Sequence, residues 1–379
     1  MAGALRVRAL RWLRAAPAAV AALMALPMAA GLAGTLGPAL EPGAVARLLD
    51  WPGLGAAARL SLVTGLASTA LALALVLAVL ATLSETRAFA ALRRMLSPLL
   101  AVPHAAAALG LAFLIAPSGW IARALSPWAT GWTQPPDLLL LNDPAGLALI
   151  LGLVAKEVPF LLLMSLAALP QTRAAEGRLL AASLGYGRAA GFAYAVLPGL
   201  YRQLRLPVYA VLAYGMTSVD MGMILGPTLP PPLSVQLALW MGAADLSLRP
   251  LAAAGALLQL ALVVAALVLW RAGEGLGGHL LRRGAQAGHR LRALDAPLSA
   301  LAAALAGGLA GALILGLAGL ALWSLAGLWP FPNALPDRLS LAVWQRAGAS
   351  LAQTFAVTAA LGLASAALAL LLVLAWLEA

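Results

Sequence analysis

The sequence predicts an all-α polytopic membrane protein of about eight transmembrane helices. Three observations carry that expectation. Hydrophobic residues fill 63% of the 379 positions and charged residues 10%, with a mean hydropathy of +0.95. No soluble core can hide that much apolar surface, so the bilayer must act as solvent. Apolar runs long enough to cross as helices recur along the chain, and the arginines fall in alternate connections between them.

Taken in order, hydropathy places spans at 16–36, 60–83, 97–115, 146–167, 206–225, 251–270, 298–322 and 350–376. The first follows a basic stretch and precedes AxA-like triplets, as a signal peptide would. Its apolar run of roughly twenty residues suits an uncleaved crossing helix better than a signal core. The third contains Pro103 and His104, read as a packed helix with a satisfied histidine, the alternative being a kink with a ligand-facing imidazole. Trp120, Trp128 and Trp132 fall where indoles anchor helices at the outer interface. Glycine-rich runs such as 305–319 predict close helix contact.

The connections separate by charge. One set holds 17 arginines: Arg6, Arg8, Arg11 and Arg14, then Arg87, Arg93 and Arg94, then Arg173, Arg178, Arg188, Arg202 and Arg205, and finally Arg271, Arg282, Arg283, Arg290 and Arg292. The other holds six: Arg47, Arg59, Arg123, Arg249, Arg338 and Arg346. By the positive-inside rule the first set is cytoplasmic, and both termini are inside. The net charge of +11 is therefore a topology signal, and no nucleic-acid partner is expected. The absence of cysteine removes disulfides and thiolate chemistry, and His104, His279 and His289 are too scattered for a zinc site. No catalytic residue, metal or cofactor is assigned. The only lysine, Lys156, lies within a span, so no Walker A loop is present and any ATP must be hydrolysed by another protein.

Residues 65–80, GLASTALALALVLAVL, and 362–377, GLASAALALLLVLAWL, match at 13 of 16 positions. Each follows a span and an outside loop, the pattern of an internal duplication of the kind common in transporters. Between the fourth and fifth spans lies a loop with five arginines and two helix-compatible stretches, 174–184 and 191–196. Gly185 between them permits a sharp turn. Pro198 is expected to end the second stretch and to constrain Leu197. The product is a short helix along the membrane face, shaped to seat in a groove on a partner.

In this loop Ala181, Gly185, Phe192, Leu197 and Pro198 stand at the spacing of the cytoplasmic EAA loop. The chain thereby resembles the permease subunits of binding-protein-dependent ABC importers. Leu179 stands where that family has Glu, and Leu180 where it has the first Ala. The segments 101–120, 151–163 and 218–240 are similar to permeases classed beside the thiamine, iron(III) and sulfate importers, in which two halves are often fused. The resemblance implies an ABC type I importer permease fold in a bacterial inner membrane. Its coupling loop at about 171–205 would dock on a separate ATP-binding ABC subunit. A periplasmic solute-binding protein is implied too, docking on the outside loops 120–144 and 227–245. On that pattern residues 1–271 form a first permease half, 272–297 a basic cytoplasmic linker that can touch anionic lipid, and 298–379 the truncated start of a second half. Another copy or chain would complete the two-fold pathway.

Lys156, Glu157 and Asp220 are ionisable residues inside spans, and burying an unpaired charge there costs at least about 2.5–3.5 kcal/mol. They are the candidate pathway residues. Lys156 and Glu157 point to different sides of one helix, and Lys156 is expected to reach toward Asp220. A structural ion pair and a solute contact both fit. One net negative charge suits a small cation such as thiamine better than an oxyanion. The alternatives are a secondary transporter or channel, which needs no ATPase, and a nonfunctional truncated permease.

Overall fold

The computed structural model describes the backbone of residues 2–377 and the side chains of residues 17–377. The side chains of Arg6, Arg8, Arg11 and Arg14, and the whole of Ala379, lie outside the described residues. Within them the regular structure is helical, and the extended pairing is limited to an isolated antiparallel bridge between Ala326 and Leu339. Seven helices are long and apolar enough to cross a membrane, or eight if one bent pair counts as a single span. The protein is an all-α polytopic membrane protein.

Helix α1 (Ala2–Ala39) leads through a short α2 (Ala44–Leu49) into α3 (Leu54–Thr82). At 29 residues with no proline, α3 is about 44 Å long and more than spans a ~30 Å hydrocarbon layer. Leu60, Thr64, Ser68, Ala72 and Val76, four residues apart, form its buried stripe. Helix α3 packs against α7 (Leu147–Ala168) and α10 (Leu197–Thr217), and these three make the centre of the bundle.

Two of the expected spans are interrupted. The third is divided into α4 (Arg87–Ala101) and α5 (His104–Ile115), because Pro103 supplies no N–H and holds Val102 extended at φ −66°, ψ 125°. The continuous packed helix expected here is thus broken at Pro103, and the apolar run continues from α5 into α6 (Trp120–Leu125). The fifth span comprises α10 and α11 (Val219–Leu225), which meet at Ser218 with a 50° bend.

After α12 (Leu233–Gly242), helix α13 (Leu248–Gln286) runs well past the expected end of its span. A turn at Arg292–Leu294 then opens α14 (Asp295–Ser324), and α15 (Ala342–Leu377) follows a loop. Helix α14 packs most extensively against α5 and also against α3 and α4. Their closest approach is at Gly110 and Gly316, where a Cβ on Gly316 would stand 2.6 Å from the Gly110 carbonyl. Helices α1 and α15 touch each other, but none of the residues in their apolar windows is buried. The two copies of the GLAS sequence therefore differ in setting: Gly65 and Ser68 are buried, whereas Gly362 and Ser365 are exposed.

Candidate functional site

The loop between α7 and α10 is built from α8 (Ala174–Ser183), a turn, α9 (Arg188–Gly191) and a π turn over Phe192–Val196. Gly185 closes α8 in the left-handed conformation, φ 83°. Its N–H donates to Ala182 O at 3.0 Å, and Tyr186 N–H donates to Ala181 O at 3.0 Å. That pair of bonds is a Schellman cap, which glycine adopts without the Cβ penalty. Ala181 is buried beneath the turn, where a Cβ on Gly191 would lie 2.8 Å from its methyl. Small residues at both positions let α8 fold back on α9.

Phe192 is buried in the central cluster, with the Arg178 guanidinium 5.7 Å above its ring. Arg178 also donates to Ser84 Oγ at 2.6 Å and to Leu80 O at 3.1 Å, which fixes α8 to the end of α3. Pro198 does not end the second helical stretch, contrary to the sequence expectation. The helix runs on through it, because the π turn has already shifted the register: Leu197 N–H bonds to Phe192 O, five residues back. Pro198 sits in the first turn of α10, where a missing N–H is tolerated. Leu197 is half-buried and Pro198 exposed. The outward side of α8 carries Leu179 at 73% exposure, Leu180 at 61% and Leu184 at 56%.

A second anchor of this loop has no signal in the local sequence. The Asp295 carboxylate accepts Arg188 N–H at 2.7 Å and Ala189 N–H at 2.9 Å, and Arg290 O accepts Gly187 N–H at 2.9 Å. Gly187 has no side chain with which to cap α9, so Asp295 caps it from more than a hundred residues away.

Lys156 and Glu157 are both 4% exposed, at the middle of α7. Lys156 does not reach Asp220. Its ammonium donates to Leu99 O at 2.8 Å and Val102 O at 2.7 Å, the carbonyls at the C-terminal end of α4. Pro103 explains the choice: in an unbroken helix its N–H would satisfy Leu99 O, and the lysine replaces it while facing the negative end of the helix dipole. Glu157 Oε1 accepts from Ser68 Oγ at 3.1 Å, and Oε2 has no hydrogen-bond partner among the described residues. Gly215 of α10 gives the carboxylate room, since a Cβ there would stand 3.1 Å from Oε1. Asp220 is exposed, in the first turn of α11 just beyond the bend. His104, at the other break, places its ring 4.8 Å from that of Tyr214.

The three candidate acids and bases are therefore not one cluster. Lys156 serves the α4–α5 break, Glu157 lies where α3, α7 and α10 cross, and Asp220 lies past the α10–α11 break. Breaks in adjacent helices with polar groups at membrane depth are the arrangement by which transporters expose backbone and charge to a pathway.

No family model matches the chain. It is similar to the inner membrane ABC transporter permease protein YnjC of Escherichia coli (strain K12), with 31% identity over 177 residues, 46% of this chain and 33% of that protein. The chain thus aligns with about a third of the length of that relative. Taken with the helical architecture, this makes the chain a polytopic all-α membrane protein that resembles, over part of its length, an ABC transporter permease.

Proposed function

We propose that this chain is the permease subunit of a bacterial ABC importer in the inner membrane, with both termini cytoplasmic. It forms part of the solute pathway and couples to a separate ATP-binding subunit through residues 171–205. A single observation carries the reading: α8 presents Leu179, Leu180 and Leu184, each more than half exposed, on a loop off the ends of two spans. Such an apolar face needs a partner. The Gly185 cap and the Asp295 anchor hold it rigid enough to receive a push. Leucine replaces the Glu and Ala of the EAA pattern at two of these three positions, so docking here rests on apolar contact.

Ala181, Gly185, Phe192, Leu197 and Pro198 are assigned to coupling, and Glu157 and Asp220 to the pathway. Lys156, whose charge is committed to carbonyls of α4, is assigned to holding the break open. The two remaining acids favour a small cationic solute such as thiamine. Residues 1–271 are assigned to one permease half, 272–297 to the linker and 298–379 to the beginning of a second. The exposed GLAS copy on α15 fits a helix whose neighbours are supplied by another copy or chain. A periplasmic solute-binding protein would dock on the outer loops.

The test is co-purification of the detergent-solubilised protein with candidate ABC ATPase subunits, comparing wild type with Leu180→Glu/Leu184→Glu. Binding by the wild type that disappears in the variant is the expected result. Absence of binding by the wild type, or binding that the variant retains, overturns the reading.

A further inference from the structure

We infer that the groove between α10 and α13 is a binding site for an anionic phospholipid. The groove encloses about 840 Å³ and is walled by apolar side chains that include Leu66, Leu77 and Leu269. Leu66 and Leu77 are eleven residues apart on α3, a length of about 16 Å at 1.5 Å per residue. That is about half of the ~30 Å hydrocarbon thickness, the depth of one leaflet. An acyl chain fits such a wall; a soluble peptide or nucleotide does not require it.

The lining adds Arg202, Arg205, Arg271 and Arg282 to these leucines. Glu274 neutralises only part of this charge. Its carboxylate pairs with Arg205 at 3.1 Å and Arg271 at 3.4 Å, and accepts from Tyr201 OH at 2.9 Å, which is itself held by Trp270 Nε1 at 2.9 Å. Arg202 and Arg282 are exposed and make no ion pair among the described residues. Four guanidinium groups against one carboxylate leave an excess of three positive charges on an apolar slot. A phosphodiester headgroup on a diacyl tail matches both parts, and basic pockets between transmembrane helices are where anionic headgroups settle. The groove also includes Leu197 and Pro198, so the lipid would touch the start of α10 directly. This site does not depend on the transport reading, because lipid binding needs neither an ATPase nor a solute.

The experiment is native mass spectrometry of the full chain with phosphatidylglycerol or phosphatidylcholine of identical acyl chains. Phosphatidylglycerol is expected to be retained roughly ten- to thirtyfold more tightly, as contacts to two further arginines would give. Arg202→Gln/Arg282→Gln should remove that preference, while Arg93→Gln/Arg94→Gln on α4 should keep it. In parallel, phosphatidylglycerol with a photoreactive acyl chain should label wild-type peptides containing Leu66, Leu77 or Leu269, a result that needs no variant. Equal retention of the two lipids, an undiminished preference in the Arg202/Arg282 variant, or labelling confined to other helices overturns the proposal. Displacement of phosphatidylglycerol by millimolar inorganic phosphate also overturns it, since the site would then be for the free anion.

Discussion

Asp295, the first residue of α14, binds the backbone N–H of Arg188 at 2.7 Å and thereby caps a helix that begins 107 positions earlier. The start of α14 and the turn between α8 and α9 are consequently one hydrogen-bonded unit. Helix α14 in turn meets α5 at the Gly110–Gly316 contact, so a chain of direct contacts joins the loop to α5.

Asp295→Ala should loosen that unit. Loss of a capping carboxylate costs about 0.5–2 kcal/mol. Hydrogen exchange over residues 186–192 is expected to speed up, with exchange in α3 unchanged. Exchange in the 186–192 segment equal to wild type would show that the cap is dispensable.

Gly185→Ala forces a side chain into φ 83°, at a cost of about 1–2 kcal/mol. The new methyl would also lie 3.3 Å from the Arg292 guanidinium. A lower midpoint of thermal unfolding in detergent and weaker ATPase binding are both expected. The preceding residue, Leu184, carries a side chain and cannot take over the left-handed turn, so the loss should not be rescued nearby.

Lys156→Met keeps the length of the side chain and removes the donor. The Leu99 and Val102 carbonyls are then left without their ammonium, at about 1–3 kcal/mol for each unsatisfied group. The expected readout is thermal destabilisation comparable to a core truncation. If Lys156 instead served only the solute, stability would be unchanged and uptake alone would fall.

Glu157→Gln preserves the shape of the side chain and its acceptor for Ser68 while removing the charge. Folding is expected to be retained. Uptake of a cationic solute in reconstituted vesicles should drop at least about tenfold, the effect of losing one charge-assisted contact. Unaltered uptake would dissociate Glu157 from the pathway.

Much of the architecture was legible because it is written in local patterns. Apolar runs marked the spans, and Gly185 marked the turn. What escaped is non-local. Pro198 read as a terminator because sequence cannot show that a π turn precedes it, and at the first turn of a helix proline is harmless. Lys156 and Asp220 invited pairing as opposite charges. The orphaned carbonyls created by Pro103 lie nearer and are equally able to accept. Asp295 looked like part of a basic linker because its two acceptor contacts are to backbone groups of a distant loop. Ser68, the partner of Glu157, is hidden inside an Ala/Leu repeat in which one hydroxyl draws no attention.

The π turn at Phe192–Val196 also preserves the rotational phase of everything that follows it. One residue added to a regular helix would turn the rest by about 100°, and the wide turn absorbs it. With the phase kept, α10 carries Gly215 past Ser68 and Glu157, where a side chain would crowd both oxygens, and Met216 past Gly65. Removing a residue from within α10 instead, beyond the π turn, would rotate Gly215 away and bring a side chain to the carboxylate. The face that the buried acid meets is therefore guarded against a change of chain length upstream of α10.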